Sequence, residues 1–403
     1  MENYSSKIKK VFLILLIIFL LPVMSHSSWT VETVDNSGLA GRYTSITLDS
    51  AGESHISYSS IGNDILFYAS HASGAWLLDT VESGTSSGFT SISTDSLDNV
   101  HMSYGGIGYK YATNSSGDWV SEQMEDNQGI VPSTSLTVDS SDNVHISNFS
   151  APTSGVSLNY TTNESGVWVT ETVDDTGLAL GPSFSSIATD SGGSIHIGYS
   201  NNGNVRYAAK SSGVWSIEPV GSGQHASLAV DTAGKGHISN YNSSNGSLNY
   251  ATNASGLWVQ EPIDDAGDVG LYTSIALDLS DNIHISYYDA TNGDLKYATN
   301  ASGQWIIETA DSGGDAGQFT SLAVDLTCRV HVSYYDNTNR YLKYASRTSY
   351  ISFSDVLPGF WAHEYVSAIA CADITTGCGG GNYCPANTVT MAEMSAFIIR
   401  ALY

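Results

Sequence analysis

The 403-residue chain carries 14 Lys and Arg against 40 Asp and Glu, a formal net charge of −26, with 24 Tyr, 39 Gly and only 8 Pro. That balance cannot neutralise a phosphate backbone or adhere to an anionic bilayer, so nucleic acid and acidic membrane surfaces are excluded as partners. Scarce Lys and Glu beside plentiful Ser, Thr, Tyr and Gly predict β-structure with many turns, and 41% hydrophobic content is enough for a core.

Residues 1–28 read as a signal peptide. Lys7, Lys9 and Lys10 precede an apolar run from Val11 to Met24, and Val23-Met24-Ser25 fits a cleavage site. The run is short for a bilayer span of about 30 Å, so an exported protein is expected. Its four cysteines are Cys328, Cys371, Cys378 and Cys384. The last two bracket GCGGGNYC and are expected to form a disulfide, with Cys328 a buried free thiol and the partner of Cys371 open.

From residue 29 the chain repeats. Trp29, Trp76, Trp119, Trp168, Trp215, Trp258 and Trp305 recur at intervals of 43 to 49 residues, and a histidine keeps the same rhythm from His55 to His331. The unit is clearest at 273–308, where Thr273–Asp278, His284–Tyr288, Leu295–Ala298 and Trp305–Glu308 have strand character. The connectors DLSDN, DATNGD and TNASGQ are Asn/Asp/Gly turns. Four antiparallel strands per unit predict a β-propeller blade. The first unit opens with a lone fourth strand, Trp29–Val34, and the last stops after a third, Leu342–Ala345. Pairing the two fragments predicts a closed ring of seven blades over residues 29–346, a mainly β fold.

Each repeat His follows an Asp by six residues, as in Asp278/His284 and Asp325/His331, so the imidazole is expected to bond that carboxylate across a tight turn. The Trp side chains, Trp305 among them, are expected to pack between blades, since seven exposed indoles would be a liability for a secreted protein. A feature present in every blade belongs to blade construction, and no asymmetric set of nucleophile and base stands out. A non-enzyme follows.

These blades resemble the HISYYD-type propeller repeats of exported bacterial proteins, and the D-S-x-G-x-x-H turn is similar to the Asp-box of sialidase-like propellers. After a linker at 347–352, residues 353–403 change character. The order FSDV, WA, DITTG, VT-x-AEM and FI-RAL resembles a surface-layer homology (SLH) domain, a small α-helical unit, with Thr390 and Glu393 at capping-box spacing. That resemblance implies attachment to cell-wall polysaccharide at a bacterial cell surface. Met391 stands where the family carries an arginine, which weakens the polymer contact.

A ligand is expected on the face that carries the loops between blades and the hairpins between second and third strands. Tyr287, Tyr288, Asp289, Tyr334, Tyr335 and Asp336 are the candidate glycan- or protein-binding residues. Asp264, Asp265, Asp289 and Asp336 are candidates for Ca²⁺, a hard cation that takes oxygen ligands. The reading is a monomeric, non-enzymatic binding or adhesion module. A polysaccharide lyase or glycosidase, or a purely structural envelope component, are its alternatives.

Overall fold

Each repeat folds as the turn chemistry dictates. In a computed structural model that describes residues 29–347 except 39, 61, 63, 73, 85–87, 131–132, 151–155 and 176–182, the strands form seven antiparallel sheets. Residues 355–356, 363–371, 375 and 383–384 are also described. The leader at 1–28, Cys378, Thr390, Met391 and Glu393 lie outside the described residues.

In the repeat read most clearly from sequence, the strands are Val269–Leu277, Ile283–Asp289, Asp294–Thr299 and Ile306–Asp311, each within a few residues of expectation. Six sheets have four strands. In blade 2 the second and third run on as one strand, Val100–Thr113, so that sheet counts three. The second strands are buried along their whole length in blades 3, 4, 6 and 7, because each is covered on both faces by neighbouring blades. The hydrophobic core is accordingly divided into clusters at the blade junctions. One gathers Leu295 and Tyr297 of blade 6 with Leu322, Val330 and Val332 of blade 7.

The ring closes as the fragments predicted. Trp29–Asp35 pairs antiparallel with Tyr341–Arg347, from Trp29 opposite Arg347 to Asp35 opposite Leu342, and supplies the outer strand of blade 7. A hydroxyl belt then links the blades around the centre. The Oγ of Ser45 accepts the backbone N–H of Ile92, and Ser91, Ser135, Ser186, Ser227, Ser274 and Ser321 repeat the bond to the next blade at 2.9–3.3 Å. Ser321 closes the circle by accepting Ile46 N–H. Only small hydroxyl side chains fit where seven sheets converge and still satisfy these backbone groups.

At the C-terminal side the helix His363–Cys371 is described. Ser280 Oγ donates to the carbonyl of Cys371 at 2.6 Å, which places this helix end on the face carrying the turns between first and second strands.

Candidate functional site

The repeat histidines are all engaged. In every blade His Nε2 lies 3.2–3.3 Å from the preceding Asp and Nδ1 lies 2.5–2.7 Å from a third-strand Tyr hydroxyl. Burial pushes the partner phenols up to about 12 in Tyr68, Tyr111, Tyr160, Tyr207 and Tyr250, so they stay protonated. Tyr O–H therefore donates to Nδ1 and Nε2–H donates to the carboxylate, which needs no charge on the imidazole; this tautomer is assigned from the network. Burial pushes the Asp278 carboxyl up. Hydrogen bonds from His284 and from the side chain and backbone of Asn282 outweigh it and hold the group below the usual carboxylate range. The His–Asp bond was legible in the spacing. The Tyr partner was missed, although Tyr297 recurs as regularly as its histidine.

The same Tyr rings receive the tryptophans of the next blade. Trp305 packs edge-on against Tyr250 at 5.3 Å, and its Nε1 donates to Glu261. Trp76 crosses the closure to Tyr344 and Glu32, and Trp29 reaches Tyr297 and Glu308. All seven indoles are half-buried and paired this way, which leaves none free as a sugar platform.

The acidic and aromatic residues expected to hold a ligand are placed differently from that expectation. Tyr287 and Tyr334 are fully buried between blades, giving their hydroxyls to Asp264 and Asp311 at 2.6 Å. Asp289 and Asp336 cap their own hairpins: Asp289 accepts from Thr291 N and Asn292, and Asp336 from Asn339. Asp264 is buried and also accepts Ala266 N, with Lys296 Nζ 3.8 Å away, whereas Asp265 is exposed. These groups are spent on turns and junctions, and among the described residues no three of the four acids converge on a cation site. Tyr288 and Tyr335 are buried too, with the Tyr288 hydroxyl given to Asp315.

The cysteines also differ. Cys328 is buried as expected but is bonded to Cys371, with Cα atoms 5.6 Å apart, so it is not a free thiol. It occupies a left-handed turn position, φ 59°, that Asp98, Asp142 and Asp281 fill in other blades. Sequence spacing hid this pair because 43 residues separate the partners. Cys384 is disulfide-bonded as well, and its expected partner Cys378 lies outside the described residues. Asp278 faces the Cys328–Cys371 bond, whose sulfurs, joined to each other, cannot serve as thiolate metal ligands.

One feature of the ring varies from blade to blade. Two positions before each belt serine stand Tyr43, Phe89, Ser133, Phe184, His225, Tyr272 and Phe319 in chain order, and these line a cavity of about 330 Å³ at the centre. The six rings form a half-buried rosette with neighbouring centroids 4.1–5.6 Å apart, Phe89 meeting Phe184 across the gap that Ser133 leaves. Tyr43, His225, Tyr272 and Phe319 sit at φ 53–55°, beside bulges where the strand register shifts. Left-handed backbone at a bulky residue costs on the order of 1–3 kcal/mol, and the bulge swings each ring inward. Burial pushes the His225 imidazole down to about 4, so it is a neutral ring here. Outside the rosette lie Tyr241, Tyr288 and Tyr335, each 6.2–6.5 Å from its rosette neighbour. The rosette therefore opens on the face that carries the hairpins and blade linkers. No sequence signal marked it, because an aromatic residue before Thr-Ser also reads as an ordinary strand start.

Solved structures share this architecture. A polysaccharide lyase overlays at TM-score 0.52 and 9% identity, over 76% of this chain and 89% of its own. The fold is a β-propeller. The α-L-arabinanase of Penicillium chrysogenum, solved with arabinobiose, overlays at TM-score 0.49 and 9% identity, over 79% of this chain and 98% of its own. The six-bladed fucose-recognising lectin of Aleuria aurantia gives TM-score 0.47 at 14% identity, over 70% and 98%. No family model matches the sequence, and no curated protein matches it.

Proposed function

We propose that the chain is a non-enzymatic glycan-binding propeller whose site is the aromatic mouth of the central channel. The carrying observation is the rosette: six half-buried rings, four held in costly backbone geometry, above a cavity ringed by Ser and Thr hydroxyls. Aromatic faces stack on the apolar faces of sugars, and hydroxyls below them exchange hydrogen bonds with sugar hydroxyls. Propeller folds serve many chemistries, so the site and not the fold supports the reading. Absence of catalysis is supported by the repeated His, Asp and Tyr groups, which are spent on each other in every blade. The proposal extends to export through the leader and to envelope attachment through the SLH-like segment.

A glycan array probed with the full chain, followed by titration of the best binder, tests this. Tyr43→Ala with Phe319→Ala is expected to weaken binding tenfold or more. Binding untouched by the pair, or no glycan bound, overturns the site. Release of unsaturated or reducing ends from polymers would replace it with the lyase or glycosidase reading.

A further inference from the structure

Two neighbouring blade junctions share a polar arrangement on the rosette face, and the next junction lacks it. Between blades 6 and 7 the hydroxyl of Tyr288 and the amide of Gln318 both donate to the carboxylate of Asp315, at 2.5 and 3.3 Å. Between blades 5 and 6, Tyr241 likewise donates to Asp268 at 2.6 Å. Asp315 is half-buried and Asp268 exposed, so these carboxylates reach the phenols from the solvent side. Counting back six residues from each belt serine, the position of Asp315 before Ser321 is Leu39 before Ser45, and that of Gln318 is Arg42. In sequence, the junction between blades 7 and 1 thus carries an apolar residue and a positive charge where its neighbour carries the acceptor and an amide.

The consequence is visible in the side chains. Tyr335 is fully buried, and its hydroxyl has no hydrogen-bond partner among the described residues. The Arg42 guanidinium lies over its ring, 5.6 Å from the centroid, and Nε is likewise buried and unpaired. Burying a donor without an acceptor is costly, and two beside each other, one of them charged, are more so. Arg42 is half-buried while Tyr335 is sealed, so the guanidinium is the outer group that a ligand meets first.

We infer that this junction is an anionic subsite: Arg42 and Tyr335 receive a carboxylate that the ligand supplies, and the ligand is a uronic acid saccharide. The inference rests on the glycan reading above, because the neighbouring Phe319 ring, 6.4 Å from Tyr335, gives the sugar ring a face to stack on. A guanidinium donor and a phenol match two carboxylate oxygens, as Gln318 and Tyr288 match those of Asp315. In a chain of net charge −26, an arginine with no acidic partner in this junction is also the local feature that admits an anion.

The test is calorimetric titration of the full chain with trigalacturonate and with its methyl ester. The parent is expected to bind the acid at least tenfold more tightly. Arg42→Gln, which installs the residue of the neighbouring junction, is expected to bring the two within about twofold. Tyr335→Phe removes a costly unpaired hydroxyl, so it should hold or raise the melting temperature of the parent while weakening the acid several-fold. Equal binding of acid and ester by the parent overturns the anionic subsite and leaves the glycan reading standing. Binding of neither overturns the uronate assignment, with the glycan array left to decide the broader reading, and equal affinity for an acidic peptide overturns the assignment to a sugar.

Discussion

His225 is the one imidazole of the rosette, and its surroundings make it a pH probe. Burial lowers its folded-state value to about 4, whereas an unfolded histidine titrates near 6.5. As pH falls below about 6.5 the unfolded chain takes the proton first, so the stability carried by the neutral ring is present above that value. It is lost progressively as pH approaches 4, by of order 2–3 kcal/mol. His331 is lowered by burial too and adds loss of the same sign. The triad carboxylates Asp95, Asp139, Asp190, Asp231 and Asp278 are held below the usual range, so their contribution disappears only at still lower pH. His225→Phe, the residue that blades 2, 4 and 7 carry, should therefore flatten the fall in melting temperature between pH 6.5 and 4.5. Parallel curves for parent and variant would show that His225 is protonated in the folded ring.

A blade is defined less by its strands than by what it hands to its neighbour. Around the centre a Thr or Ser hydroxyl meets a second-strand Ser of the preceding blade in six junctions, as Thr90 meets Ser57 at 2.8 Å and Thr320 meets Ser286 at 2.7 Å. In the seventh both hydroxyls are gone together: blade 4 has Gly198 and blade 5 has Ala226. A Cβ at Gly198 would lie 3.0 Å from Leu228 Cβ, so this junction is also packed more closely. Ala226→Thr alone buries a donor with no partner and should cost about 1–3 kcal/mol. Gly198→Ser alone crowds Leu228. The double substitution should recover about 1 kcal/mol of the summed cost in a denaturation cycle, and strict additivity would deny the pairing. Such handovers mark the limit of sequence reading. The His–Asp spacing was legible because both groups lie in one hairpin, and the Trp rhythm because each blade repeats it. The burial of Tyr287 and Tyr334 and the Cys328–Cys371 bond were not, since each depends on a neighbouring blade or on the C-terminal helix. The strand pattern alone places Tyr287 and Tyr288 on opposite faces of one sheet. It does not say that a second blade covers Tyr287 and leaves Tyr288 beside a linker carboxylate.

At the scale of the whole ring, stability is cooperative because every blade both gives and receives, and the circle is covalently open at one place only. There Trp29–Asp35 covers the edge of Tyr341–Arg347, and three further contacts tie the strand to the blades on either side. Trp29 packs on Tyr297, Glu32 accepts the Trp76 indole, and the Asp35 carboxylate accepts the Tyr58 hydroxyl at 3.0 Å. Removing residues 29–35 takes away one tryptophan's burial, of order 4 kcal/mol at most, and orphans the buried Tyr58 hydroxyl at about 1–3 kcal/mol. The ring should lose several kcal/mol and melt well below the parent. The bared third strand should also pair between molecules, which light scattering would register as association. A synthetic peptide of residues 29–35 offers a sharper measure, because the lost strand can return without a covalent link. Added in excess, it should raise the melting temperature of the truncated chain and suppress association, whereas a peptide with Trp29 and Glu32 replaced by Ala should do neither. A truncated chain that melts with the parent, or ignores both peptides, would mean that the hydroxyl belt alone holds the ring shut.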